Sequence, residues 1–81
     1  MRIKIQMFGA FRVLGEQIEV ELAEDAVVSD LRLAMAKQAE TANLLDLLSA
    51  SKFANATSIL NDTSVCLNGE VLAILPPVSG G

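Results

Sequence analysis

The chain has 81 residues, of which 52% are hydrophobic, and a formal net charge of −4. This length predicts one domain, and the negative charge disfavours nucleic acid and anionic membranes as ligands while favouring partners with basic docking sites. A chain this short buries only about 60% of its unfolded surface, so its apolar composition predicts an exposed patch that a partner covers.

The cysteine and histidine content excludes several kinds of site. The chain has one cysteine, Cys66, and no histidine. It therefore has no means of forming an internal disulfide, a ferredoxin-type iron–sulfur site or a Ser-His or Cys-His catalytic pair. No apolar run approaches the roughly 18 residues of a membrane span, and the N-terminal segment does not resemble a signal peptide. These features predict a cytoplasmic protein in which Cys66 is a small buried side chain.

The N-terminal part alternates between apolar and polar side chains, which predicts two strands. Residues 1–8 form the first strand and residues 17–22 form the second. The connection at residues 9–15 is suited to an antiparallel hairpin with a long loop. The inward-facing side chains are predicted to be Met1, Ile3, Ile5, Met7, Ile18, Val20 and Leu22.

A helix is predicted from Ser29, as N-cap, to about residue 40, with Asp30 in its first turn. Arg32 and Lys37 are expected on its solvated side. The leucines at residues 44–48 predict a short helix or turn, followed by a polar loop at residues 49–52. The face of the long helix that meets the core is predicted to comprise Leu31, Ala34, Met35 and Gln38.

The remaining segments predict two further strands. Residues 53–60 form a weaker one, and residues 71–75 form one without polar alternation, so both of its faces need a cover. The element order predicts an α+β fold: a mixed sheet of four to five strands, with one main helix on one face and the first and last strands adjacent in the middle. This arrangement resembles the β-grasp fold of ubiquitin-like domains.

Residues 76–81 are predicted to form an extended, flexible C-terminal tail on a domain at residues 1–75. Pro76 and Pro77 have fixed φ angles and no backbone N–H, so the chain leaves its sheet there as a stiff spacer. Gly80 and Gly81 have no side chains and can enter a narrow channel. At about 3.3 Å per residue, the tail reaches roughly 20 Å from the body and presents the α-carboxylate of Gly81.

Two segments resemble the small subunit of molybdopterin synthase, a sulfur carrier of molybdenum-cofactor biosynthesis. The first is the tail Pro76-Pro77-Val78-Ser79-Gly80-Gly81, and the second is the segment from Phe8 to Gly15, which contains Arg12. Length and element order agree along the whole chain. One departure is the turn at residues 69–71, which has one acidic residue fewer than the family pattern.

The resemblance implies a non-catalytic carrier subunit that binds no cofactor directly. An E1-like adenylyltransferase, which itself uses ATP and Mg²⁺, would convert Gly81 to an acyl-adenylate, and a sulfur donor protein would then supply the thiocarboxylate sulfur. The tail would next enter the catalytic pocket of the large synthase subunit. There it would give its sulfur to a cyclic pyranopterin monophosphate, forming the molybdopterin dithiolene. The implied assembly is a heterotetramer of two large and two small subunits.

The resemblance and the residue types together predict the site. Gly81 carries the sulfur, and the tail residues inserted into the partner are Pro76, Pro77, Val78, Ser79 and Gly80. The prolines reduce the entropy lost on threading, Val78 fills a small pocket and Ser79 bonds to the channel wall. The predicted docking surface consists of Phe8, Phe11, Ile74 and Leu75, with ordinary core packing as the alternative for each.

Three other functions remain open from the sequence. A sulfur carrier of thiamine thiazole synthesis also ends in Gly-Gly on a β-grasp domain, although Pro76 and Pro77 favour the molybdopterin pathway. A ubiquitin-like modifier conjugated to lysines would use the same activation chemistry. A stand-alone interaction domain with an inert tail is the third alternative.

Overall fold

Five strands form one mixed sheet in the computed structural model, which describes residues 1–77. They are β1 (Arg2–Gln6), β2 (Gln17–Glu21), β3 (Lys52–Ala54), β4 (Ile59–Leu60) and β5 (Val71–Leu75). Their order across the sheet is β2-β1-β5-β3-β4. β1 and β5 are parallel, whereas the other neighbouring strands are antiparallel. This confirms the predicted β-grasp fold, with the first and last strands adjacent in the middle.

Three helical segments connect the strands: a 3₁₀ helix (Gly9–Leu14), α1 (Val28–Thr41) and α2 (Leu45–Ala50). α1 packs on one face of the sheet, because its buried side chains join those of the strands in a single core. The other face is called the outer face below. The core members that are fully buried include Ile3, Ile5, Phe11, Val28, Leu31, Met35, Ala39, Phe53 and Ile74.

The helix α1 begins earlier than the sequence predicts, and Ser29 is not its N-cap. The cap position is Val27, whose N–H donates to Asp30 Oδ2 at 2.9 Å. The N–H of Val28 donates to the carbonyl oxygen of Ser64 and that of Ser29 to the carbonyl oxygen of Asp62, so a distant loop satisfies the first helical donors. The buried face is Val28, Leu31, Met35 and Ala39, whereas Ala34 and Gln38 are exposed.

The segment predicted as one weak strand at residues 53–60 is a hairpin formed by β3 and β4. Its turn is built on Asn55, whose Oδ1 accepts hydrogen bonds from the N–H groups of Thr57 at 2.9 Å and Ser58 at 2.8 Å. Asparagine side chains commonly form such local bonds and so favour turns. The loop predicted at residues 49–52 is shorter, because α2 runs to Ala50 and β3 begins at Lys52.

The prediction that Arg32 is solvated is wrong. Its Nη1 donates to the carbonyl oxygens of Leu48 at 2.5 Å and Ser51 at 2.9 Å, and its Nη2 lies 2.8 Å from Asp62 Oδ1. The guanidinium carbon lies 5.2 Å from the centroid of the Phe53 ring. Arg32 therefore joins α1 to the end of α2, to the start of β3 and to the loop that satisfies the first helical donors.

Replacing Arg32 with alanine is expected to lower the free energy of unfolding by about 2–3 kcal/mol, because bonds to a charged donor contribute about 1.5–3 kcal/mol. The carbonyl groups of Leu48 and Ser51 both lose the guanidinium donor, although Leu48 keeps the N–H of Ser51. Lys37→Ala is the matched control, since it removes an exposed cation from the same helix, and it should stay within about 0.5 kcal/mol of the wild type. Urea denaturation measures both variants. Equal losses would contradict the role assigned to Arg32.

Candidate functional site

The base of the tail is anchored in the middle of the sheet. β5 pairs with β1 from Val71 to Ala73 and with β3 as far as Leu75. The ladder ends there because Pro76, the next residue, has no N–H. Pro76 is half-buried and Pro77 is exposed. The predicted tail residues Val78, Ser79, Gly80 and Gly81 lie outside the described residues.

An apolar strip crosses the outer face of the sheet. Residues paired in register across neighbouring strands share a face, which places Ile59 beside Ala54, Ala54 beside Ala73, and Ala73 between Val71 and Leu75 on their own strand. These five residues are called the apolar strip. Ile59 is 64% exposed and Val71 is 47% exposed. A depression of about 260 Å³ lies along the strip, beside Gln6 and Asn55. The strip runs along β5 to the base of the tail.

Two lysines flank the apolar strip. Lys4 is paired in register with Val71, and Lys52 is paired with Leu75. Both are exposed, and neither forms an ion pair within residues 1–77. The expectation of a basic docking partner rests on net charge, which carries no information on where charges lie. Lys52 places an exposed cation beside the last residue of β5, whereas Lys4 lies beside its first residue and opposite Glu19 on β2.

The four residues of the predicted docking surface have different environments. Phe11 and Ile74 are both 0% exposed, so the prediction of an exposed interface is wrong for these two. Both side chains belong to the core: Ile74 lies on the α1 side of β5, and Phe11 is the buried residue of the 3₁₀ helix. Phe8 is 37% exposed and lines a depression of about 300 Å³ with Arg12 and Glu16. Leu75 is half-buried and belongs to the apolar strip.

The sequence interpretation missed most of the apolar strip. Residues 53–60 are predicted as one weaker strand and not as a hairpin, so the prediction does not place Ile59 beside Ala54. A usable signal was present in β5, whose five residues are all apolar. A strand of this kind with one face on the core has apolar residues left for the other face. Which side chains stand beside them depends on strand pairing, which the sequence alone did not define.

Cys66 is not suited to carry sulfur. Its side chain is 2% exposed and belongs to the core. Burial raises the pKa of the Cys66 thiol, and the nearby carboxylates of Glu70 and Asp30 raise it further. The thiolate is the reactive form of cysteine, so this environment disfavours nucleophilic chemistry.

The described residues contain no cluster of three or more Cys, Asp or Glu side chains placed to hold a metal ion. Within the same residues, no helix has the length and apolar character needed to cross a membrane.

Comparison with known proteins gives matches among solved structures. No protein-family model and no curated protein matches the chain. SAMP1 from Haloferax volcanii superposes with a TM-score of 0.78 at 20% identity, covering 100% of both chains. A protein described as molybdopterin converting factor subunit 1 from Pyrococcus furiosus gives 0.77 at 26% identity, covering 96% of this chain and 99% of its own.

A third structure is a complex of subunits 1 and 2 of the molybdopterin-converting factor from Helicobacter pylori. It matches with a TM-score of 0.66 at 27% identity, and the match covers 100% of both chains. The Pyrococcus furiosus protein and the matched chain of the Helicobacter pylori complex are therefore each covered along nearly their whole length. Together with the sheet order and the anchored tail base, these likenesses confirm the predicted resemblance: the protein has the ubiquitin-like β-grasp fold and resembles the first subunit of the molybdopterin-converting factor.

Proposed function

We propose that this protein is a sulfur carrier that acts as the small subunit of a molybdopterin synthase, with its cargo on Gly81. The observation that carries the proposal is the exit of the chain from the central strand β5 into Pro76 and Pro77. A strand held on both edges gives the following residues a rigid base. The likeness to a molybdopterin converting factor subunit 1 and to a chain of a converting-factor complex, at 26% and 27% identity, supports this assignment.

The proposed chemistry begins with activation of the Gly81 carboxylate. A C-terminal carboxylate has a pKa near 3.5 and is ionised at neutral pH, so it resists attack by a sulfur anion. In the first step a carboxylate oxygen bonds to the α-phosphorus of ATP and pyrophosphate leaves. In the second step a sulfide-level sulfur bonds to the carbonyl carbon and AMP leaves with that oxygen. The product is a thiocarboxylate on Gly81.

In the second stage the loaded tail enters the large subunit and donates sulfur to the pterin precursor. A neighbour of this chain was solved as a complex of subunits 1 and 2 of the converting factor, which supports a large-subunit partner here. In this proposal Val78 and Ser79 of the threaded segment contact the wall of the partner's channel, and Gly80 keeps the segment narrow. Prolines lower the entropy lost when a segment is ordered on binding.

The apolar strip and its two lysines are the proposed docking surface. A partner that draws the tail into its own pocket must lie over the end of β5, where the strip meets the tail base. The occupant we expect is a protein surface with an apolar centre and carboxylates opposite Lys4 and Lys52. Apolar contact supplies most of the affinity of such an interface, while complementary charges orient it and speed association.

Intact-mass spectrometry tests the proposed loading directly. The protein is incubated with an E1-like adenylyltransferase, ATP and a sulfur donor, and the expected product has one oxygen replaced by one sulfur. Omitting ATP is the control, because no adenylate then forms. The proposal fails if ATP, enzyme and donor together leave the mass unchanged.

The same experiment separates the proposed function from its alternatives. Addition of a molybdopterin synthase large subunit and the pterin precursor should consume the thiocarboxylate, whereas a thiazole synthase should not. Appearance of this protein linked through Gly81 to lysines of other proteins would instead favour a ubiquitin-like modifier. An inert interaction domain would show neither loading nor conjugation.

A further inference from the structure

The backbone changes direction abruptly between Phe8 and Gly9. Phe8 is extended, with φ −130° and ψ 155°, whereas Gly9 begins the 3₁₀ helix with a φ of +57°. Residues with side chains rarely adopt this left-handed conformation, and glycine adopts it at no steric cost. The turn brings the backbone of Gly9 beside Pro76, the first residue after β5.

A second constraint on Gly9 comes from this contact across the chain. A Cβ atom built on Gly9 would lie 3.0 Å from Cγ of Pro76. That separation is tighter than nine in ten real Cβ contacts, so Pro76 would have to move by a few tenths of an ångström. The proline ring is closed onto its own backbone nitrogen, so it yields either by changing its pucker or by moving the main chain where the tail begins.

We propose that Gly9 is a positioning residue that seats Pro76 and thereby sets the direction in which the tail leaves the sheet. The inference rests on the proposed function, because direction matters only if the tail is delivered to a partner. Five residues follow Pro76, a reach of roughly 16 Å at about 3.3 Å each. A change of direction at the base therefore changes the region that Gly81 can reach. Misplacement by about 1 Å at a reacting group can reduce a rate by roughly a hundredfold.

Gly69 provides a matched control for the proposed role of Gly9. It also has a positive φ, +78°, but a Cβ atom there would meet nothing within 4 Å. Gly69→Ala therefore imposes a similar conformational strain without touching Pro76. Gly9→Ala imposes the strain and the contact together. Any effect found in Gly9→Ala and absent from Gly69→Ala is assigned to the contact between residue 9 and Pro76.

The first test is structural and does not depend on any partner. The wild type should show a nuclear Overhauser cross-peak between Gly9 Hα and Pro76 Hγ. Gly9→Ala should shift the resonances of Leu75 and Pro77, whereas Gly69→Ala should leave them unchanged. Absence of the cross-peak, or equal shifts in both variants, overturns the inference whether or not the protein is ever adenylated.

The second test measures adenylation by pyrophosphate release, with this protein as the varied substrate. Gly9→Ala should lower kcat/KM roughly tenfold, within the roughly hundredfold range for a misplaced reacting group. In a Pro76→Ala background, where Cγ is absent, adding Gly9→Ala should have no further effect on kcat/KM. A persistent effect in that background contradicts the proposal. Failure of the wild type to be adenylated would instead overturn the proposed function. The spectroscopic test would then decide by itself whether Gly9 positions Pro76.

Discussion

Deleting Gly81 should abolish loading of sulfur by an E1-like enzyme while leaving the melting temperature unchanged. The deletion moves the terminal carboxylate back by one residue, about 3.3 Å, which is several times the displacement of about 1 Å that already costs up to a hundredfold in rate. The fold should be unaffected because strand pairing of β5 ends at Leu75. Intact mass and a thermal melt on the same sample measure both effects.

Ser79→Ala is the companion control for that deletion. It keeps the tail at full length and removes one hydroxyl group, so loading should fall by no more than about tenfold, the equivalent of one neutral hydrogen bond. Full loading of the chain without Gly81 would rule out the terminal carboxylate as the site of sulfur. A matching loss in Ser79→Ala would show instead that the assay responds to any change in the tail.

Replacing Ile59 with aspartate should weaken binding to the large subunit by roughly 30-fold or more, the effect of losing a residue worth about 2 kcal/mol at the centre of an interface. Ile59 is 64% exposed on the apolar strip. The substitution removes apolar contact and forces an unpaired carboxylate into the buried interface, which adds a desolvation cost. Isothermal titration calorimetry with the large subunit measures the change.

Leu33→Asp is the matched control for Ile59→Asp. Leu33 is 74% exposed, and it lies on α1, on the opposite side of the sheet from the strip. The same new charge there should change affinity by less than about twofold, which corresponds to the roughly 0.5 kcal/mol typical of surface substitutions. Thermal melts of both variants check that the domain is folded. Equal losses of affinity, or no loss in Ile59→Asp, would remove the outer face from the docking surface.

Local pattern was sufficient for most of the architecture. The alternation of residues 1–8 and 17–22 predicts β1 and β2, and the apolar run of residues 71–75 coincides with β5. Their positions in the sheet followed from the element order. Such features depend on side-chain period and strand connection, both of which are visible in consecutive residues.

Several of the errors involve partners that are distant in the chain. Arg32 bonds to Ser51 and Asp62, which lie 19 and 30 residues away. The loop at residues 61–64 accepts the N–H groups of Val28 and Ser29, a contribution to the first turn of α1 that the local sequence does not reveal. Two of the predicted docking residues, Phe11 and Ile74, are buried by packing from other elements. Ile59 reaches the outer face through a hairpin that the sequence interpretation did not predict.

The parallel pairing of β1 with β5 has a consequence for how the protein is made. The two central strands come from opposite ends of the domain, so the sheet cannot close until the last strand has left the ribosome. A nascent chain interrupted before residue 71 lacks its central strand and remains a substrate for proteases. A chain interrupted just after residue 77 has every strand but lacks the last four residues of the tail. Under the proposed function, such a product would bind the large subunit without delivering sulfur and would compete with intact chains.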